Sequence, residues 1–177
     1  LREPMMIGSI TLENSAETLS YADAKAEWDR LGITNSSGKM EIIEAEHASK
    51  KSSQMLYPVQ DQSTPAVFPY SAKALLNNTI GGVNWNSVGD WIEWEVDIKE
   101  SGYYNISMYT KQNFVQGIPV YRKIMIDGQV PFKELEGYEF AYDGDWRMDT
   151  LGEQSGKTVK PYQIYLEKGT HTIRMEV

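Results

Sequence analysis

In residues 91–98, Trp91-Ile92-Glu93-Trp94-Glu95-Val96-Asp97-Ile98, apolar and polar side chains alternate without a break from Ile92 onward. A period of two marks a β-strand with one buried face, so Ile92, Trp94, Val96 and Ile98 are read as inward and Trp91, Glu93, Glu95 and Asp97 as outward. A turn at Glu100-Ser101-Gly102 leads into a second strand, Tyr103 to Lys111, with Tyr104, Ile106 and Met108 inward. Tyr121 to Ile126 runs into Asp127-Gly128, a hairpin signal. Tyr162–Leu166 and Thr170–Val177, joined by Glu167-Lys168-Gly169, read as a final hairpin. Upstream, Met40 to Glu46 also alternates. Short strands at this spacing predict an antiparallel β-sandwich.

Ahead of the strands lies a different pattern. Gly8 to Glu13 reads as a short strand, and Leu19 to Leu31 as a helix capped by Ser20 and Asp23 and stopped by Gly32. Leu19, Ala22, Ala26 and Leu31 fall near one face of that helix, with Trp28 to the side. Asn35-Ser36-Ser37-Gly38 reads as a linker. The expected organisation is therefore a strand–helix extension and linker over 1–39, followed by a β-sandwich over 40–177.

The chain has 177 residues, with 17 basic and 25 acidic side chains and a net charge of −8. That sign argues against nucleic acid and against an anionic membrane surface as partners. No apolar run approaches the ~20 residues of a membrane helix, so no direct membrane insertion is expected. There are no cysteines, which removes disulfides, thiol nucleophiles and thiolate metal sites. The chain opens at Leu1 and stops at Arg174-Met175-Glu176-Val177 within a strand pattern, so we expect a piece of a longer protein.

Catalytic chemistry finds little support. His47 and His171 are the only imidazoles, and His171 shares an apolar face with Ile173 and Met175, where a packed structural role is expected. Gly81-Gly82 lacks the lysine or the fingerprint of a phosphate loop. Asp90, Glu93 and Glu95, and Glu134, Glu136 and Glu139, read as solvated faces rather than as a glycosidase pair. The chain is not expected to be an enzyme. Glu44 and Glu46, at i and i+2 on a strand, would leave one face ~7 Å apart. They are open to two readings, a pair of hard oxygen donors for calcium or an exposed edge.

Tyr (11) and Trp (5) outnumber Phe (4), and Tyr70, Trp85, Tyr138, Tyr142 and Trp146 are placed in loops. Rings with one polar edge suit half-wet sites, where the C–H face of a sugar stacks and nearby Asn or Asp meets its hydroxyls. Asn84-Trp85-Asn86 and Asp143-Gly144-Asp145-Trp146-Arg147 have that composition. The same rings could instead cap the ends of the core.

Ile43-Glu44-Ala45-Glu46, Gly81-Gly82, Val88-Gly89-Asp90-Trp91-Ile92-Glu93-Trp94, Gly102-Tyr103-Tyr104, Ile126-Asp127-Gly128, Trp146 and Leu166-Glu167-Lys168-Gly169-Thr170-His171 follow one another in order. That order, over 41–177, resembles carbohydrate-binding modules of families six and thirty-five. Val130 to Leu135 and Lys160-Pro161-Tyr162 are similar to a module of large extracellular solute-binding proteins of Gram-positive bacteria. The resemblance implies an all-β, antiparallel jelly roll of the galactose-binding-domain-like type, on the cell surface or outside the bacterial cell. It implies a structural calcium held in part by Glu44 and Glu46. It also implies a carbohydrate site in the loops at one end, with Trp146, Trp85, Asn84, Asp145 and Tyr142 as candidate residues. Its partners would be an oligo- or polysaccharide and other domains of the same longer chain. The rival expectation is an interaction module of a solute-binding protein that has no sugar site.

Overall fold

The computed structural model describes residues 17–38, 40–156 and 158–177; the strand expected at Gly8–Glu13 lies outside them. Among the described residues one α-helix, α1 (Tyr21–Arg30), precedes thirteen strands. The first six are β1 (Lys50–Lys51), β2 (Pro58–Val59), β3 (Thr79–Ile80), β4 (Trp91–Ile98), β5 (Gly102–Tyr104) and β6 (Ser107–Thr110). There follow β7 (Val120–Ile126), β8 (Tyr138–Phe140), β9 (Arg147–Thr150) and β10 (Gly152–Ser155). The last are β11 (Thr158–Pro161), β12 (Ile164–Leu166) and β13 (Gly169–Glu176).

The strand read from residues 91–98 forms as β4 and pairs along its whole length with β13, from Gly169 opposite Ile98 to Glu176 opposite Trp91. It belongs to a five-stranded antiparallel sheet in the order β1-β4-β13-β7-β8. Shorter antiparallel pairs, β2 with β3, β5 with β12, β6 with β9 and β10 with β11, make up the rest. The architecture is the expected jelly roll. Its core gathers Val96, Ile98, Ile124, Ile126, Phe140 and Met175 from the large sheet with Leu151, Ile164 and Leu166. The turn at Asp127-Gly128 forms with φ of 52° and 76°, the left-handed pair that a two-residue hairpin of matched twist requires.

Several expectations are corrected. Tyr103–Lys111 is two strands, since β5 pairs with β12 and β6 with β9. The expected last hairpin is a crossing between layers, because β12 joins β5 while β13 lies between β4 and β7. Met40–Glu46 is not a strand; residues 40–44 are irregular, and Ala45–His47 form a 3-10 turn. Glu93 is buried rather than solvated, and Tyr138 is buried in β8 rather than placed in a loop. His171 is largely enclosed, as a structural residue would be, and is also held by polar partners, with Nδ1 2.6 Å from Asp127 Oδ2 and Nε2 2.8 Å from the Glu167 carbonyl oxygen.

The helix has its expected cap, since Ser20 Oγ accepts from the Asp23 N–H (3.2 Å) and donates to the Asp23 carboxylate (2.7 Å). Its buried side differs from the one read from sequence. Tyr21 packs on Phe132 and Tyr162 with centroids 5.0 and 4.5 Å apart, Ala24 is buried and Trp28 meets Tyr103, while Leu31 is 72% exposed. Aromatic rings on the sandwich supply more contact area than the small alanines could, and they set the helix's rotation. The Tyr21 N–H donates to Glu134 (2.9 Å), the Gln163 N–H to the Tyr21 hydroxyl (2.9 Å), and Asn35 bridges to Tyr103. Through Tyr21, Trp28 and Asn35 the helix and the segment after it pack directly against the strands. Burial inside this aromatic cluster pushes the Tyr162 phenol up to about 12. Among the described residues, no helix is long and apolar enough to cross a membrane.

Candidate functional site at one end of the sandwich

Strand direction brings the candidate loops together. β4 and β7 each run antiparallel to β13, so both begin at the same end, where the 84–90 loop enters β4. Val120 at the start of β7 faces Phe140 at the end of β8, which puts the 141–146 loop at that end. The 111–119 loop arrives there from β6. Asn84, Trp85, Tyr142, Asp145 and Trp146 therefore lie toward one rim, in two separate clusters.

Trp146 lies at the entrance to β9. Its ring is half-buried and stacks on Tyr109 of β6, with centroids 5.6 Å apart and planes 12° from parallel. Tyr109 faces Met148 across the β6–β9 pair, so Tyr109, Lys111, Trp146 and Met148 share the outer face of that ribbon. Tyr109 is 37% and Met148 63% exposed. Lys111 Nζ stands 6.0 Å from the Trp146 centroid and 3.5 Å from Asp61 Oδ2. Burial pushes the Asp61 carboxyl up, but bonds from Ser63, the Trp146 indole N–H dipole and the Lys111 charge outweigh it and leave its pKa below the ordinary value. That indole N–H is buried near Asp61 and forms no hydrogen bond of good geometry. Beneath the ribbon, Arg147 clasps Asp149 through Nε (3.1 Å) and Nη2 (2.9 Å), with Asp143 at 3.7 Å from Nη1. Asp145 is exposed, its N–H bonded to Asp143 (3.1 Å), and Tyr142 is half-buried.

Trp85 follows a 3-10 turn over Gly82–Asn84 and packs against the core cluster. Its indole N–H donates to the Asp90 carbonyl (3.2 Å), and the Arg122 guanidinium lies over the ring, 4.5 Å from the centroid. A Cβ on Gly81 would come within 3.0 Å of the ring edge, so glycine there lets the indole seat. Arg122 spends two N–H groups on the carbonyls of Tyr121 (2.8 Å) and Trp85 (3.1 Å), and its Nε is buried without a partner. Among the described residues no carboxylate pairs with it, and burial alone pulls its pKa down. Trp85 is half-buried, with its ring against the core cluster, and Asn84 beside it is half-buried too.

Glu44 precedes the 3-10 turn and Glu46 lies within it, so the same-face strand argument for the pair does not hold. Glu46 is only 8% exposed, and its Oε2 is buried with no hydrogen-bond partner. A bare buried carboxylate oxygen is costly, and its chemistry fits a cation. Among the described residues, no group of three or more His, Cys, Asp or Glu is disposed to hold a metal, so backbone oxygens would have to complete a shell.

Tyr109, Lys111, Asp61 and Arg122 were not among the expected site residues. Tyr109 and Arg122 sit in strands whose inward or outward sense depends on partners far along the chain, and Asp61 comes from an irregular loop with no pattern. Two shallow clefts, of about 360 and 310 Å³, lie away from the rim, beside Glu41–Glu44 and beside Lys25 and Tyr103.

No protein-family model matches the sequence. No curated protein matches it either. Among solved structures, the chain is similar to a Paenibacillus sp. cycloisomaltooligosaccharide glucanotransferase complexed with cycloisomaltoheptaose, at 18% identity and a TM-score of 0.54. That match takes in 90% of this chain but 21% of the enzyme's. A family 35 carbohydrate-binding module from Clostridium thermocellum is similar at 17% identity and a TM-score of 0.53, over 78% of this chain and 87% of the module. At these identities the likeness is one of fold, and it agrees with the jelly roll described above.

Proposed function

We propose that the chain is a non-catalytic carbohydrate-binding module of an exported bacterial protein, taking an oligo- or polysaccharide on the rim around Trp146 and Tyr109. The observation that carries this reading is the stacked Tyr109–Trp146 pair, partly exposed and bordered by Lys111, Asp61 and Met148. The outward face of this stacked pair offers an apolar platform to the C–H face of a pyranose, and the charged groups beside it reach the sugar's hydroxyls. Binding is shallow and weak, because few hydroxyl contacts become fully desolvated. The similarity in fold to a family 35 module supports the reading. A structural calcium belongs to it, with Glu46 and Glu44 as protein ligands; the cation would neutralise the partnerless Glu46 oxygen. Extracellular location, and a place beside other domains of a solute-binding protein, complete the proposal.

The test is a glycan array followed by calorimetry on the best ligand. We expect binding with a dissociation constant in the millimolar to micromolar range, weakened at least tenfold by Trp146→Ala and by Tyr109→Ala. Absence of any ligand at millimolar concentration would overturn the sugar site.

A further inference from the structure

The edge of the five-stranded sheet is covered over only half its length. β1 pairs with β4 at Glu93 and Ile92 alone, and the Ser49 and Ser52 N–H groups bond the carbonyls of Glu93 (2.8 Å) and Trp91 (2.9 Å). Backbone groups alternate in direction along a strand, so those of Glu95 and Asp97 point to the same side as those of Trp91 and Glu93. Among the described residues, no backbone group meets them there. The opening is a cleft of about 360 Å³ lined by Glu95, Val96 and Asp97 on one wall and by Glu41, Ile42 and Glu44 among the residues of the other.

We propose that this open half-edge of β4 receives an extended segment of a partner protein, added as a further strand, in which lysines or arginines alternate with aliphatic residues. An unpaired row of N–H and C=O groups is a template for strand addition, and natural edges are normally blocked by lysine, proline or a bulge. Here the edge carries acids. Glu95 and Asp97 leave one face of the sheet two residues apart, as cations at i and i+2 of an added strand would. Glu41 and Glu44 stand across the cleft with His47, and the lysine lining it, Lys99, is already bonded to Asp97. Ile42 is 71% and Ile43 37% exposed, an apolar strip for the aliphatic side chains of the guest. A guest of three paired residues spans ~10 Å, the length of the uncovered run. Basic charge selects the guest, and main-chain bonds hold it.

The full 177-residue chain is titrated with a fluorescent peptide, acetyl-KVKVKVK-amide, alongside acetyl-EVEVEVE-amide and acetyl-KVPVPVK-amide, at 50 and 300 mM salt. We expect saturable binding of the first peptide and at least tenfold weaker binding of the other two. Hydrogen exchange at the Glu95 and Asp97 amides should slow when the first peptide is bound, a change that electrostatic adhesion alone does not produce. The exposed double variant Glu95→Lys/Asp97→Lys, checked for fold by circular dichroism, should lose at least tenfold in affinity. Equal binding of the proline peptide, unchanged exchange at both amides, or full affinity in the double variant would each overturn strand addition here. The result is independent of whether the rim binds sugar.

Discussion

Arg122 lays its guanidinium over the Trp85 ring at 4.5 Å and donates through Nη2 to the carbonyl of the same residue at 3.1 Å. One side chain thus holds both the ring and the backbone of the loop that enters β4. The cation has no carboxylate partner among the described residues, so its desolvation is offset only by the ring's quadrupole and two carbonyl dipoles.

Because the half-buried Trp85 ring packs against the core cluster and beneath the Arg122 guanidinium, Trp85→Ala should cost about 2–3 kcal/mol of unfolding free energy, measured by denaturant titration. Arg122→Met fills a similar volume and removes an unpaired charge, so its stability should stay within about 1 kcal/mol of the parent. A near-neutral Trp85→Ala would return the ring to the role of a solvent-facing platform.

Strand β4 was legible in the sequence because its period of two persists from Ile92 to Ile98 and one face is buried along most of it. The helix start was legible because capping is a local bond between Ser20 and Asp23. What the helix buries was not, since Tyr21 and Trp28 win their places through Phe132, Tyr162 and Tyr103, far along the chain. The split between β5 and β6 escaped for a related reason: an unbroken alternation does not reveal that a strand changes sheets. At the site, Trp146 stood out by its polar neighbours, whereas Tyr109 became a candidate only once β6 lay beside β9.

The orphaned Oε2 of Glu46 leads to a prediction about metal. Calcium at one hundred times its dissociation constant stabilises the folded state by ~2.7 kcal/mol through mass action. Thermal unfolding should therefore shift upward on adding calcium to chelator-treated protein, and the shift should vanish in Glu46→Gln. Glu44→Gln should weaken it. If the parent protein melts at the same temperature in calcium and in chelator, cation binding at the 3-10 turn is wrong.

His171 ties the Asp127-Gly128 turn to the Glu167 carbonyl, and both ring nitrogens face acceptors. Burial pulls the imidazole pKa down, but the Asp127 bond and the Glu167 carbonyl more than compensate, so the folded value lies above 6.5. A raised cationic pKa stabilises fully below the unfolded value of ~6.5 and is lost as pH climbs through the folded value. Stability should accordingly fall above pH 6.5 by an amount missing in His171→Gln. Asp127→Asn should cost about 1 kcal/mol at pH 6 and less at pH 9. A pH profile identical in parent and His171→Gln would show that the ring does not titrate in this window.

Glu93 and Glu95 differ by two places in an alternating strand, and composition gives no reason to treat them differently. The structure separates them. Glu93 is 3% exposed and takes Arg174 through Nε (2.9 Å) and Nη2 (2.6 Å), with Lys50 3.5 Å away. Arg174 in turn lies 3.9 Å from the Trp91 ring centroid, so the carboxylate anchors a stack on the outer face of the large sheet. Removing the charge leaves a partly buried guanidinium facing a neutral amide, and breaking such a pair from one side costs far more than never having it. Glu93→Gln should lower unfolding free energy by about 2–4 kcal/mol in urea titrations, whereas Glu95→Gln, on an exposed side chain, should stay within about 0.5 kcal/mol. Rescue by Glu93→Gln/Arg174→Met, which removes both members and leaves an apolar side chain against Trp91, would assign the loss to the stranded cation. If the double variant is no more stable than Glu93→Gln alone, the carboxylate acts through Lys50 and the β1 strand rather than through Arg174.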